Sequence, residues 1–147
     1  MTDTNQDLVR RSWIMQEFDL DHRRISLPDT GDGYPRVLSL AGSAADARLS
    51  LEISPALIWF RGHFPDQPVL PGVIQLHWAV LTAQACFGLT TTPAEVKRLK
   101  FKSIISPPTT VELAVNVRTA NEVQFMFDDA DAQYSEGRLV FSEETNC

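Results

Sequence analysis

The chain has 147 residues, of which 44% are hydrophobic and 22% are charged, and its formal net charge is −6. These values fit a single folded domain with an ordinary hydrophobic core. The negative charge argues against nucleic acid as the main partner, because phosphate binding needs a basic surface. It still allows a local basic patch that contacts an acidic protein.

Cysteine usage and the N-terminus bear on the cellular compartment. Cys86 and Cys147 are too few for a disulfide framework, and no metal-ligand spacing joins them to the histidines. We therefore expect no metal, and we predict that Cys86 is an ordinary buried thiol. No basic start followed by an apolar stretch marks a secretory signal. These features favour a reducing, cytoplasmic location.

Residues 1–33 are predicted to form an N-terminal extension to a main domain that spans residues 34–147. The polar residues 1–7 are expected to be frayed or disordered. Residues 8–20 can be drawn as a short amphipathic helix, although the apolar residues align only roughly. Residues 29–33 are predicted to form a loop, because aspartate and glycine favour turns.

The main domain contains six segments with strand-like patterns. They are residues 37–40, 47–53, 96–105, 111–117, 123–134 and 138–142, with the last turn expected around Glu136 and Gly137. Alternation in the third segment places Leu99 and Phe101 on one face and basic residues on the other. Strand patterns therefore both precede and follow the central part of the chain.

A helix is predicted over about residues 71–88, between the second and third strands. Residues 60–68 are rich in glycine and proline and form a loop. Pro71 and Gly72 then open a segment without helix breakers, which ends at Gly88. Its apolar residues lie on every side, as in a helix wrapped by protein, and the run is too short for a membrane span. Strands on both sides of one buried helix indicate an α+β domain.

Residues 62–73, Gly-His-Phe-Pro-Asp-Gln-Pro-Val-Leu-Pro-Gly-Val, closely resemble the signature of the bacterial β-hydroxyacyl-acyl-carrier-protein dehydratases of the FabZ and FabA type. The next residues, Gln-Leu-His-Trp-Ala at 75–79, are more similar to the ApeI-like branch of aryl-polyene and related pigment pathways. The resemblance covers roughly residues 37–141. It implies the hot-dog fold, in which an antiparallel sheet wraps one central helix and two protomers pair to make two active sites.

His63 is the first candidate catalytic residue. Dehydration of a β-hydroxyacyl thioester requires removal of an α-proton, and a neutral imidazole suits this task near pH 7. The neighbouring Gly62, Phe64 and Pro65 would hold the ring in place. The alternative is a structural histidine that is hydrogen-bonded to the backbone. The resemblance implies the catalytic role, with His63 as the base.

Gly72 is the second candidate, because the first turn of a helix presents unpaired N–H groups and a partial positive charge. Such donors stabilise the charge that develops on a thioester oxygen. The resemblance implies that the backbone amide at Gly72 holds the acyl carbonyl. The simpler interpretation is that Pro-Gly only starts the helix, and both interpretations can hold together.

His77 stands where the resembled dehydratases carry glutamate or aspartate. Two nearby imidazoles repel when both are charged, so a pair that holds a single proton is favoured over a useful pH range. His63 as base and His77 as imidazolium acid are therefore chemically compatible. A packed helix histidine beside Trp78 is an alternative of nearly equal weight.

The resemblance implies further contacts with substrate and carrier. The expected substrate-binding residues are Phe64, Pro71, Val73, Gln75 and Trp78, and the expected carrier-docking residues are Arg98, Lys100 and Lys102. A merely solvated strand face is the alternative for the basic residues. The implied partners are an acyl-carrier protein and a second hot-dog subunit, identical or similar, with no cofactor.

Three functions remain open at this point. The first is dehydration of β-hydroxyacyl thioesters on an acyl-carrier protein, in fatty-acid or polyene-type biosynthesis. The second is a hot-dog thioesterase, although residues 73–87 contain no carboxylate to serve as its base or nucleophile. The third is a non-catalytic subunit that pairs with an active paralogue, which the missing acidic residue favours.

Overall fold

The computed structural model describes residues 15–61 and 68–142 of the chain. Predictions for residues 1–14, 62–67 and 143–147, including those for His63, Phe64 and Cys147, lie outside this range. The elements are β1 (Gln16–Leu20), β2 (Arg23–Leu27), β3 (Arg36–Ser43), β4 (Asp46–Ile53), α1 (Gly72–Phe87), β5 (Pro93–Phe101), β6 (Thr109–Thr119), β7 (Glu122–Asp128) and β8 (Gln133–Phe141). Short 3-10 turns lie at Thr30–Asp32 and Ile58–Phe60.

The main sheet has six antiparallel strands in the order β3-β4-β6-β7-β8-β5. Alternating residues of its central strands are apolar and buried, because side chains on a strand point to opposite faces. In β4 and β6 these are Ala47, Leu49, Leu51, Ile53, Val111, Leu113 and Val115. The helix α1 covers this apolar face, so the prediction of an α+β domain is confirmed.

The bounds of α1 follow from its two end signals. Pro71 is the N-cap with extended backbone angles (φ −61°, ψ 144°), and Gly88 ends the helix in the left-handed region at φ 66°. The backbone N–H groups of Gly88 and Leu89 both donate to the Gln84 carbonyl. The helix predicted over about residues 71–88 is therefore confirmed.

The faces of α1 differ in exposure. The face toward the core carries Gln75, Trp78, Ala79, Thr82, Ala83 and Cys86, all buried. On the opposite face Val73 is 68% exposed and His77 is exposed as well. The expectation of a helix surrounded by protein on every side is thus wrong for this one face in the single chain.

The predicted helix over residues 8–20 is wrong where the structure describes it, because Gln16–Leu20 is the strand β1. It pairs antiparallel with β2, with Leu20 opposite Arg23. Asp21 and His22, at φ 52° and 66°, form the connecting turn. Positive φ at both central residues matches the twist of a two-residue hairpin, which overrides the weak helical pattern.

This hairpin shares its core with the rest of the domain. Leu20, Ile25 and Leu27 are at most 2% exposed and belong to the same apolar cluster as the main sheet. The Arg23 guanidinium donates to the Cys86 carbonyl at 2.7 Å, close to the C-terminal end of α1. A cation at that position is favoured by the helix dipole. The described part of the N-terminal extension is therefore packed onto α1.

Cys86 is confirmed as a buried free thiol. Burial raises the pKa of this thiol to about 11, because the charged thiolate would lose its hydration. The nearby Arg23 guanidinium opposes this shift only in part. The thiol is thus protonated near neutral pH and behaves as a small apolar core group.

The final turn lies earlier than predicted. The chain turns at residues 129–132, and Glu136 and Gly137 lie inside β8. The Asp129 carboxylate accepts hydrogen bonds from the backbone N–H groups of Asp131 and Ala132, which stabilises the turn. A Cβ at Gly137 would come within 2.8 Å of the Phe125 ring, so glycine serves close packing here.

Candidate active site at the start of the central helix

The first turn of α1 presents backbone donors that have no partner among residues 15–61 and 68–142. The N–H groups of Ile74 and Gln75 both donate to the Pro71 carbonyl, at 3.1 and 3.2 Å. Those of Gly72 and Val73 precede them and make no hydrogen bond within the described part of the chain. Such groups, with the positive end of the helix dipole, favour an oxygen that carries negative charge.

Gly72 is in close contact with Phe101 of β5. A Cβ on Gly72 would lie 2.7 Å from the nearest atom of that ring, and closer than 3.2 Å to two more. The ring is 49% exposed, so it covers the helix start on one side and faces the surroundings on the other. Glycine is therefore required for this close approach, beyond any role in starting the helix.

Gln75 does not have the exposed position that a substrate-binding residue would need in this chain. It is only 2% exposed, and its amide nitrogen donates to the Leu70 carbonyl at 3.4 Å. Its amide oxygen accepts a hydrogen bond from the Ser135 hydroxyl at 2.7 Å. Both ends of the Gln75 side chain are thus engaged in the core of the single chain, and its predicted contact with substrate stays a prediction.

Trp78 is likewise buried in the core of the single chain, and its predicted contact with substrate stays a prediction. It is 1% exposed, and its indole N–H donates to the Gly33 carbonyl at 3.0 Å. The Trp59 indole donates to the same carbonyl, at 2.6 Å. The ring of Trp78 also packs edge-on against Tyr34, with centroids 6.3 Å apart. Trp78 thus attaches the N-terminal segment to α1.

His77 lies on the exposed face of α1, one turn after Val73. Residues four apart on a helix lie above one another, so His77 and Val73 share this face. Val80 and Leu81 continue it and are half-buried. A packed histidine beside Trp78 is excluded within the single chain, because Trp78 points into the core and His77 does not.

The structure therefore brings Gly72, Val73 and His77 to one end and one face of α1, next to the exposed Pro71. The sequence-based analysis did not identify Ser135 as part of this region. Its only signal is a hydroxyl at an inward position of the alternating strand β8. The place of His63 relative to these residues lies outside the described range.

Of the predicted docking residues, Arg98 and Lys100 lie on the edge strand β5, and Lys102 directly follows it. A bulge between Lys97 and Lys100 breaks the simple alternation, with Arg98 at φ 53°. Arg98 and Lys100 line one depression of about 120 Å³ together with Arg138. Lys102 pairs with Glu136, at 3.5 Å between Nζ and the carboxylate oxygen, so its charge is partly compensated.

Two further properties concern metals and membranes. Within residues 15–61 and 68–142, no group of three or more histidine, cysteine or acidic side chains could hold a metal ion. In the same residues, no helix is both long enough and apolar enough to span a bilayer.

Solved structures with this arrangement of sheet and helix are known. The chain is 30% identical to a chain of the dehydratase heterocomplex ApeI:P from Xenorhabdus doucetiae, with a TM-score of 0.67, over 72% of this chain and 96% of that one. An uncharacterized protein from Erwinia carotovora subsp. atroseptica gives a TM-score of 0.61 at 28% identity, over 72% and 94%. The six-stranded antiparallel sheet on one helix is the hot-dog fold that the sequence predicted.

Sequence comparisons give the family. The family described as "ApeI-like: ApeI dehydratase" matches residues 40–138, and the chain belongs to this family. The 3-hydroxyacyl-[acyl-carrier-protein] dehydratase FabZ of Latilactobacillus sakei is 39% identical over 90 residues, which cover 56% of this chain and 63% of that protein. FabZ of Pseudoalteromonas translucida is 32% identical over 98 residues, which cover 60% and 63%. The chain thus spans less than two thirds of the length of these relatives.

Proposed function

We propose that the protein dehydrates β-hydroxyacyl thioesters, carried by an acyl-carrier protein, to trans-2-enoyl thioesters in fatty-acid or polyene-type biosynthesis. His63 removes the α-proton, and His77, as an imidazolium, protonates the departing hydroxyl. Both family membership and the relatives named as 3-hydroxyacyl-[acyl-carrier-protein] dehydratases support this reaction. The reaction needs no metal and no nucleotide.

One observation carries the proposal: the first-turn amides of α1 and the exposed His77 share one end of the same helix. Removal of an α-proton sends negative charge onto the thioester oxygen, and the amides of Gly72 and Val73 are suited to receive it. His77 follows one turn later, at about 6 Å along the helix axis. The proposed oxyanion donors and the proposed acid therefore lie one helical turn apart on the same helix.

The opposite face of the substrate would be covered by a second hot-dog subunit. The edge strand β5 has a single described neighbour, β8, and an unpaired edge favours pairing with another chain. Around it Val73, Leu99, Phe101 and Ile104 are 68%, 38%, 49% and 65% exposed. Such an apolar cluster beside an open edge fits a subunit interface. We propose that His77 there faces His63 of the partner.

This pairing predicts a dimer in solution, formed with a second copy in the simplest case. Ile104→Glu should shift the protein toward monomer, because a charge would be buried in the interface. Leu38→Glu is the matched control, since Leu38 is 45% exposed on β3 at the other edge of the sheet. Sedimentation velocity at micromolar concentration measures both. A wild-type monomer under these conditions would count against the homodimer.

For the carrier protein, we propose docking at the depression lined by Arg98, Lys100 and Arg138. Acyl-carrier proteins are acidic, and the Arg98 and Lys100 side chains provide the complementary charge. Glu136 also lines the depression, and Arg138 pairs with Glu122 at 3.8 Å. Arg98 and Lys100 are on the edge strand β5, whose opposite face presents Phe101 to Gly72, and Arg138 is on the neighbouring strand β8. The acyl group of a carrier bound there would have a short path to the helix start.

A second function is favoured by one specific observation. The related ApeI:P structure is a heterocomplex, and His77 replaces the usual acidic residue of the dehydratases. The chain could therefore act as a subunit that pairs with a catalytic partner and shapes its tunnel. This alternative requires the protein to be inactive alone and active only after mixing.

Incubation of the purified protein with β-hydroxyacyl and enoyl thioesters of an acyl-carrier protein separates the functions. Mass spectrometry detects dehydration as loss of water and hydration as gain of water, and either result supports the proposed reaction. Release of the free carrier thiol instead indicates a thioesterase. No reaction by the protein alone, with activity on addition of a second hot-dog subunit, indicates the non-catalytic role.

A further inference from the structure

Gln75 and Ser135 form a buried polar pair between α1 and β8. They are 2% and 1% exposed, and the hydroxyl donates to the amide oxygen at 2.7 Å. In the sheet, Ser135 lies between Phe127 of β7 and Phe101 of β5, its partners on either side. The pair is thus a directional hydrogen bond in otherwise apolar surroundings.

Such a pair is not the simplest way to fill this space. Burying an amide and a hydroxyl costs free energy that their mutual hydrogen bond only roughly offsets. Two apolar side chains of similar size would fill the same volume at comparable stability. What the polar pair adds is direction, because a hydrogen bond fixes the relative placement of the two elements that it joins.

The element that the pair fixes is the chain that enters α1. Leu70 is held from two sides, because its N–H donates to the Ile105 carbonyl at 2.8 Å and its own carbonyl accepts from Gln75. Pro71 and Gly72 follow at once. Phe101, directly opposite Ser135 in the sheet, packs against Gly72. The same pair of strands therefore contacts both Gln75 and the glycine at the helix start.

We propose that Gln75 and Ser135 are positioning residues for turnover: they hold residues 70–73 so that the first-turn amides meet the thioester oxygen, and neither contacts the substrate. This inference rests on the proposed function. It explains why a polar residue occupies the buried side of the helix one turn after its start. The effect is on the placement of donors, to which electrostatic stabilisation of a reacting oxygen is sensitive.

The test compares Ser135→Ala, Gln75→Met and the double variant. Ser135→Ala leaves the Gln75 amide oxygen unpaired, and Gln75→Met leaves both the Ser135 hydroxyl and the Leu70 carbonyl unpaired, so each should lower the melting temperature. The double variant removes the amide and the hydroxyl together and leaves only the Leu70 carbonyl without its donor, so it should regain part of the lost stability. Its kcat should nevertheless remain roughly 10- to 100-fold low, since a small misplacement of reacting groups has effects of this order. Its KM should change little.

A matched control lies on the same helix. Tyr34 and Thr82 form another buried hydrogen bond, two turns further along α1 from Gln75. Tyr34→Phe combined with Thr82→Val removes this pair in the same manner, and we expect wild-type kcat from it. If kcat fell equally in both double variants, general loosening of the core would be the cause, and the positioning role would be overturned.

Hydrogen exchange gives a readout that does not depend on activity. The Leu70 amide should exchange at least about tenfold faster in the Gln75→Met/Ser135→Ala protein, because its carbonyl loses the Gln75 donor and the segment loosens. A double variant with wild-type kcat overturns the inference, whether or not exchange changes. If the wild-type protein neither hydrates nor dehydrates, the proposed function fails, and Leu70 exchange alone decides whether the pair holds the helix start.

Discussion

Replacing His63 by alanine is expected to lower kcat/KM for dehydration about 10²–10⁴-fold, the range for loss of a general base. No other residue between Gly62 and Pro68 is suited to accept the α-proton at neutral pH, since Asp66 is a far weaker base. The melting temperature should change little. Activity is measured on the β-hydroxyacyl carrier-protein thioester, and in the reverse direction by hydration of the enoyl thioester.

The chain offers a direct control for this experiment. It has three histidines, and His22 lies exposed in the turn between β1 and β2. His22→Asn keeps a residue that tolerates the positive φ of this turn and should retain the wild-type rate. If His63→Ala were as active as His22→Asn, His63 would not be the base, and the proposed mechanism would be wrong.

His77→Ala should produce a loss of similar size, about 10²–10⁴-fold, because the departing hydroxyl then lacks its proton donor. Because His77 is exposed on α1, a packing defect would not explain such a loss. His77→Glu restores the acidic group of the resembled dehydratases, and we expect it to keep or raise activity. The comparison of His77→Ala with His77→Glu distinguishes the loss of a proton donor from the loss of the histidine side chain as such.

The pH profile gives an independent check of the same pair. Two histidines that must hold a single proton are inactive when both are protonated and when neither is. The wild-type rate should therefore fall at both low and high pH. In His77→Glu the decline at high pH should change, because a carboxylic acid replaces the imidazolium. Dehydration by His77→Ala at the wild-type rate would instead leave His63 with water, or a partner subunit, as the remaining explanation.

The sequence was informative where the physical signals are local and strong. Pro71 and Gly88 mark the two ends of α1 by backbone preferences that no packing reverses. Strict alternation in β4 and β6 likewise predicts buried faces, because a shift of one residue would expose every apolar side chain. The hot-dog fold itself was predicted from the resemblance of residues 62–73 to a family signature.

The errors arose where tertiary contacts decide the outcome. Gly137 is a residue typical of turns, but it lies within the strand β8. Glycine occurs there because the Phe125 ring occupies the space that a side chain would need. Trp78 stands next to His77 in the sequence, but a helix turns neighbouring side chains about 100° apart and places one in the core. Ser135 and Gln75 are 60 positions apart in the sequence, so no local sequence pattern predicts their contact.

The hairpin of β1 and β2 has a consequence for how this protein relates to its family. The family match begins at residue 40, whereas Leu20, Ile25, Leu27 and Tyr34 already belong to the core. A protein cut at the family boundary would expose Trp78, Thr82 and Cys86 to water and lose the Arg23 contact at the end of α1. The region that matches the family is therefore shorter than the set of residues that packs around α1. A domain exchange between relatives should therefore place its N-terminal boundary before the β1–β2 hairpin and not at residue 40.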